Sequence, residues 1–447
     1  MPAFRSDRRR FLAATGTAFA ALSLSGCVVR TRGLGGAPGG GQGFAGYGPL
    51  QRDPQGLLDL PEGFSYRVLS RLGDAMDDSG TVPDRGDGMG AFDIGNGEIA
   101  LVRNHELQPQ HDAGGPIARG FGTRDGEFVP GGTTTIVLDA QTLAVKREFR
   151  SLGGTIRNCA GGVTPWGTWL SCEEAPTGPG QKYGEGLARN HGWVFEVPAA
   201  APGLVDPVPL TAMGRFNHEA ACVDPATGFV YMTEDRDDSV LYRFVPRVAG
   251  DLVKGGRLQA MALEGLADTR NWNAAAMPVG RGYAVSWIDL DDVEAPGDDL
   301  RQRAAAQGAA LIARGEGLHM GDGEMFACAT SGGAKGFGQV FRLVPGRGEV
   351  PDRFELFFES GSEDQFNYGD NLCVAPNGHL IVCEDQYTDI VDNHLRGITP
   401  GGRPYDFARL RTQTELAGAC FSPDGKTLFV NAYSPTATLA ITGPWAA

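Results

Sequence analysis

The chain has 447 residues, with 67 Gly, 28 Pro, 8 Cys and a formal charge of −15 at pH 7. A hydrophobic content of 41% supports a core, so this glycine and proline content does not signal disorder. An acidic chain without clusters of Lys or Arg excludes nucleic acid as a partner, because phosphate contacts need basic patches; multivalent cations suit it better.

Residues 1–27 read as an export signal. Asp7-Arg8-Arg9-Arg10-Phe11-Leu12 has the form of a twin-arginine motif. The apolar stretch from Leu12 to Leu24 is shorter than the roughly 20 residues needed to span a bilayer. It ends in Leu24-Ser25-Gly26-Cys27, which has the form of a lipobox. Cys27 would then be lipidated after passage through the twin-arginine machinery, leaving the protein lipid-anchored in the periplasm or at the cell surface. An ordinary cleavage site is the alternative. Residues 28–54 follow as a tether, since nine of the sixteen positions 33–48 are Gly. The folded body is expected over residues 55–447. Its seven further cysteines are odd in number and sit mostly in apolar runs, as free buried thiols do.

One helix is predicted, from Leu300 to Arg314. Elsewhere a turn followed by a short apolar strand recurs: Gly97–Val102, Gly167–Cys172, Gly228–Thr233, Gly323–Cys328, Gly378–Cys383 and Gly425–Val430. Several copies are followed by an outer strand with a shared ending: Trp193–Pro198, Leu241–Pro246 and Val340–Pro345. Repeats of this size predict an all-β, six-bladed β-propeller, with a double β-sandwich as the alternative.

The innermost strand of a propeller blade lines the central channel, so equivalent positions in different blades face one another. Just upstream of the repeated turns stand Asn158-Cys159, Asn217-His218-Glu219, Gly315-Glu316-Gly317 and Gly369-Asp370-Asn371. A second set follows the repeated strands: Arg103-Asn104-His105-Glu106, Glu173-Glu174, Glu234-Asp235 and Glu384-Asp385. Carboxylates gathered from several blades repel one another unless a cation compensates them. Oxygen-rich ligation suits calcium or magnesium, and a thiolate among carboxylates adds a softer transition ion, with iron the natural candidate. Each element has a plainer reading: Glu384-Asp385 as a solvated turn, Cys159 as a buried filler, His105 and His218 as core histidines. The repetition in register favours a site. No Gly-x-Ser-x-Gly elbow, P-loop, His-Glu-x-x-His or Cys-x-x-Cys occurs, which removes support for serine catalysis and nucleotide hydrolysis.

The run from Arg157 to Glu174, Arg-Asn-Cys-Ala-Gly-Gly-Val-Thr-Pro-Trp-Gly-Thr-Trp-Leu-Ser-Cys-Glu-Glu, closely resembles the signature of the PhoX family of alkaline phosphatases. Arg103–Glu106, Arg215–Glu219, Leu416–Gly425 and the ending Gly443-Pro444-Trp445 are similar too, so the resemblance covers residue 55 onward. It implies a six-bladed propeller, twin-arginine export and hydrolysis of a small phosphorylated substrate at a cluster of Fe(III) and Ca2+. By motif, Cys159, Glu219 and Glu316 would hold iron, and Glu106, Glu173 and Asp235 would hold calcium. Asn104, Arg157 and Arg396 are candidates for holding substrate phosphate. The chain resembles a shorter branch of the family, which puts the phosphate-holding residues in question. A calcium-dependent propeller lactonase or esterase, and a non-catalytic binding propeller, are the alternative functions.

Overall fold

All six repeated segments are strands: Glu98–His105, Thr168–Glu173, Val230–Glu234, Met325–Ala329, Leu380–Glu384 and Thr427–Ala432. The glycine opening each segment has φ between +70° and +84°, the left-handed turn conformation that side chains disfavour. The computed structural model describes residues 46–445 apart from 387 and 390. The chain divides into two units, Met1–Gly43 and the body, Phe44–Ala447. The twin-arginine motif, the apolar stretch and Cys27 lie outside the described residues, which contain no helix long and apolar enough to cross a membrane.

Each repeated strand pairs antiparallel with a preceding inner strand: Gly86–Gly95, Asn158–Val163, His218–Val223, Gly315–Met320, Gly369–Val374 and Leu416–Phe421. Each inner strand lies beside the next, and Leu416–Phe421 returns to Gly86–Gly95, so the run closes on itself. Outer strands such as Val194–Pro198, Tyr242–Pro246 and Gln339–Val344 extend the sheets outward. The fold is therefore all-β and propeller-like.

The two ends of the chain interlock. Ser65–Arg71 pairs with Ala437–Thr442 and completes the last sheet with a strand from the start of the chain. Residues 46–54, assigned to the tether by composition, belong to the folded body. Leu50–Gln51 pairs with Leu58–Pro61, and Tyr47 packs edge-on against Phe64, Phe407 and Trp445. Asp53 accepts hydrogen bonds from the Leu57 and Leu58 amides and the Tyr66 hydroxyl. The predicted helix is shorter than expected, Leu300–Ala306, because Gly308 takes φ +100° and the chain then enters the strand Leu311–Ile312. All seven cysteines of the body are free and buried.

Candidate metal centre

The register of every inner strand slips by one residue where it meets its partner, a β-bulge repeated at Gly86/Met89, Asn158/Gly161, His218/Ala221, Gly315/Leu318, Gly369/Leu372 and Ala417/Cys420. A bulge re-aims the side chains it contains. Five of the six bulges carry a donor, namely Asp87, Cys159, Glu219, Glu316 and Asp370. A second device recurs beside it. The amides of Glu106, Glu174, Asp235, Thr330, Asp385 and Tyr433 donate to the carbonyls of Arg85, Arg157, Asn217, Arg314, Tyr368 and Glu415 at 2.8–3.2 Å. Each accepting residue stands two before its bulge position, and Arg85, Arg157, Arg314 and Tyr368 all have left-handed φ. These two devices bring three rings of side chains to one end of the channel.

They enclose a cavity of about 290 Å³. Its wall holds nine carboxylic acids (Asp87, Glu106, Glu174, Glu219, Asp235, Glu316, Asp370, Asp385 and Glu415), the Cys159 thiol, Tyr433 and three arginines (Arg85, Arg157 and Arg314). Three donor groups overlap in series: Cys159, Glu174 and Glu219; then Glu219, Glu316 and Asp370; then Asp370, Asp385 and Glu415. Within each group the ligand atoms lie within 4.8 Å of one another. Cys159 Sγ lies 3.4 Å from Glu219 Oε1 and 3.6 Å from Asp87 Oδ2.

Burial, and then the repulsion of neighbouring acids, pushes Asp87, Glu219 and Glu316 well above the carboxylate range. The same causes raise Asp370 to about 7 and Glu174 to about 8, and the Cys159 thiol is pushed up as well. The arginines answer only part of this charge. Arg157 bonds Glu106 Oε1 at 2.7 Å and Glu174 Oε2 at 2.6 Å; burial opposes its charge, but these two carboxylates outweigh it. Arg314 bonds both oxygens of Asp235 and reaches Glu316 at 3.1 Å. Arg85 donates to the Tyr433 hydroxyl, which donates to Glu106. Asp87 Oδ1 is buried without a hydrogen-bond partner. A buried unpartnered carboxylate oxygen beside three convergent donor groups fits multivalent cations, one group offering a soft donor and the other two oxygen only.

The structure brings Cys159, Glu219, Glu316, Glu106, Asp235 and Arg157 of the sequence-predicted set to this cavity. Three others lie away from it. Glu173 faces outward, bonded to the Ile156, Gly192 and Trp193 amides and to His191 at 2.6 Å. Strand side chains alternate, so Glu173 shares its side with His105, Glu234 and Glu384, while Glu174 takes the inward register of Glu106, Asp235 and Asp385. Asn104 is buried in the hairpin frame, donating to the Cys159 and Ala160 carbonyls and accepting from Trp169 and Ser171. Arg396 is buried against Glu384 and Asp406. His105 and His218 bond backbone carbonyls and are held neutral by burial. Sequence reasoning missed Asp87 and Glu415, as well as Arg85, Arg314 and Tyr433. Gly86-Asp87-Gly88 repeats the pattern of Gly315-Glu316-Gly317 and was legible; Glu415 precedes its strand and carried no such mark.

Fold and site together define a propeller-like protein with a buried acidic centre whose donors suit cations. Residues 45–436 match the model of the family described as alkaline phosphatase PhoX, and the chain belongs to that family of phosphoric monoester hydrolases. The structure of Pseudomonas fluorescens PhoX in complex with vanadate, a transition state analogue, is similar in fold, with a TM-score of 0.66 at 20% identity over 87% of this chain and 96% of that one. More distant is a Xanthomonas campestris gluconolactonase, at 15% identity and a TM-score of 0.41 over 89% of this chain and 98% of that one. A Dyadobacter fermentans protein of unknown function has 10% identity and a TM-score of 0.47 over 85% and 99%. A search of curated proteins found no match.

Proposed function

We propose that this protein is an exported phosphatase that cleaves small phosphomonoesters at a cluster of ferric iron and calcium ions in the channel of a six-bladed propeller. The observation that carries the reading is the series of three donor groups joined through Glu219 and Asp370. Adjacent cation sites sharing carboxylates are what a cluster needs, and isolated ions do not. Family membership supports phosphoester chemistry, as does the vanadate complex of the Pseudomonas fluorescens relative. The blade count is supported by the inner strands, which carry the same bulge and the same rim hydrogen bond six times. Export by the twin-arginine route and a lipid anchor at Cys27 complete the proposal, resting on the sequence signals alone.

In this reading Cys159, Glu174, Glu219 and Glu316 would hold iron, and Asp370, Asp385, Glu415, Glu106 and Asp235 would hold calcium. When bound, such a cluster supplies Lewis acidity toward phosphoryl oxygens and eases deprotonation of the attacking water. The chain's own residues do the rest. Arg157 and Arg314 are fixed by carboxylates and present guanidinium edges to the cavity, where they orient a phosphate dianion and offset its developing charge. Arg85, held at Tyr433 beside Glu106, adds a third cation next to Arg157. Cys159, Glu219 and Glu316 must lose protons before they can ligate, so loading releases protons and strengthens as pH rises.

The test is hydrolysis of glycerol phosphate by the natively exported protein, before and after chelation, with Glu219→Gln in parallel. Turnover that disappears on chelation and in the variant is the expected result. Chelator-insensitive turnover, or full turnover and metal content in Glu219→Gln, would refute the assignment. Activity on lactones with calcium alone, retained in Cys159→Ala, would favour the lactonase alternative.

A further inference from the structure

Beside the acidic cavity lies a second, larger chamber of about 1000 Å³, and Gln108, Arg157 and Glu174 line both. A phosphate group needs far less room than this, so the chamber has capacity for the rest of a substrate. Part of its wall is formed by the long connection between the strands Thr168–Glu173 and Val194–Pro198, and part by Gln108–Gln110 and Pro296–Asp298.

That connection is anchored. Gln181 donates to the Pro296 carbonyl at 3.0 Å and accepts from Arg215 at 3.1 Å. Thr177 donates to the Lys182 carbonyl at 2.9 Å, and Gly184 packs so tightly on the Gly178 carbonyl that a Cβ would sit 1.9 Å from it. On this fixed turn the Tyr183 ring is 72% exposed and lines the chamber, with the backbone at φ +64°. A large aromatic in left-handed conformation, gaining no core packing, is the kind of local cost that function sustains. The Lys182 ammonium lies 4.6 Å from the centroid of that ring and has no carboxylate partner among the described residues. Arg124 also lines the chamber, bridged through its backbone to Leu187 of the same connection and paired with Asp125 at 3.8 Å.

We infer that this chamber is a leaving-group subsite in which Tyr183 and Lys182 receive a planar heterocycle, so that nucleoside monophosphates are preferred over aliphatic phosphomonoesters. The inference rests on the phosphatase reading for its reaction, but the subsite is defined by its own residues. A heterocycle stacks on the phenol face, and its ring nitrogens and carbonyls accept hydrogen bonds from the Lys182 ammonium. An aliphatic alcohol offers neither.

The experiment compares kcat/KM for adenosine 5′-monophosphate and glycerol phosphate in the wild-type protein, Tyr183→Ala, Tyr183→Phe and Lys182→Ala. Tyr183 is exposed, so its truncation leaves the fold intact. The nucleotide preference is expected to fall about ten-fold in Tyr183→Ala, through KM, with the glycerol phosphate rate unchanged and Tyr183→Phe close to wild type. Equal loss on both substrates, or an unchanged ratio, would overturn the subsite. Adenosine itself is titrated by calorimetry in parallel. Binding by the wild-type protein that disappears in Tyr183→Ala supports the subsite even if no ester is cleaved, in which case only the phosphatase reading fails. No adenosine binding and no nucleotide preference would overturn the subsite while leaving glycerol phosphate hydrolysis to support the phosphatase.

Discussion

The two ends of the channel are built from the same inner strands but do opposite work. At one end the bulges present Asp87, Cys159, Glu219, Glu316 and Asp370. One residue further along, the same strands turn to Gly88, Ala160, Ala220, Gly317 and Asn371, and an apolar cavity of about 330 Å³ opens. The small residues let neighbouring backbones touch. A Cβ on Gly162 would lie 1.9 Å from the Ala221 carbonyl oxygen, and one on Gly317 would lie 2.6 Å from Asn371 Cα. The apolar end thus draws the inner strands into backbone contact, and that contact crowds the acids at the other end. Crowding raises their pKa values, and cations relieve it.

The comparison can be broken most severely at the acidic end. Glu219→Gln removes the carboxylate shared by two donor groups, and turnover is expected to fall ~10³-fold with loss of bound metal. Kinetics and elemental analysis of the same sample check this. At the other end Gly162→Val forces two backbones apart. A loss of about 3 kcal/mol of stability is expected in urea titrations, with weakened metal retention although no ligand changed.

The adjacent acids Glu173 and Glu174 sharpen the contrast. Glu173→Gln should keep its metal but lose roughly 1–3 kcal/mol of stability, since three amides and His191 converge on it. Glu174→Gln should lose metal and gain stability in the stripped protein.

The smallest effect is a pH dependence with a definite sign. Asp370 and Glu174 have folded-state values of about 7 and about 8, above those of free carboxyls. Raised acids contribute stability that is fully present below the unfolded values and lost as pH rises through the folded ones. Metal-stripped protein is therefore expected to melt lower at pH 8.5 than at pH 6, whereas the loaded protein should not. Melting curves at both pH values, with and without chelator, decide it; a stripped protein that melts higher at pH 8.5 would contradict the account.

The propeller-like fold was legible because turn glycine and apolar strand repeat visibly. The cavity was legible in part, because acids recur in register around those strands. What a repeat alone does not tell is the side of the sheet each residue faces. Glu173 ends a continuous buried strand and Glu174 follows directly, with no polar alternation to mark the inward one. Comparing it with Asp235 and Asp385, each one residue beyond the end of its strand, resolves the choice. Arg396 and Asn104 misled for a related reason: a polar residue near a motif can serve the frame, and both spend all their bonds on it. The order of residues 46–54 was hidden by the glycine around them, since Tyr47 and Asp53 act through contacts with distant Phe407, Trp445 and Tyr66.

The most direct measurement is elemental analysis by mass spectrometry of the natively exported wild-type, Glu173→Gln and Glu174→Gln proteins, purified without chelator. The account predicts iron and calcium together in the wild type, retained in Glu173→Gln and depleted in Glu174→Gln. A wild-type protein without bound metal, or a Glu174→Gln variant as fully loaded as the wild type, would contradict it.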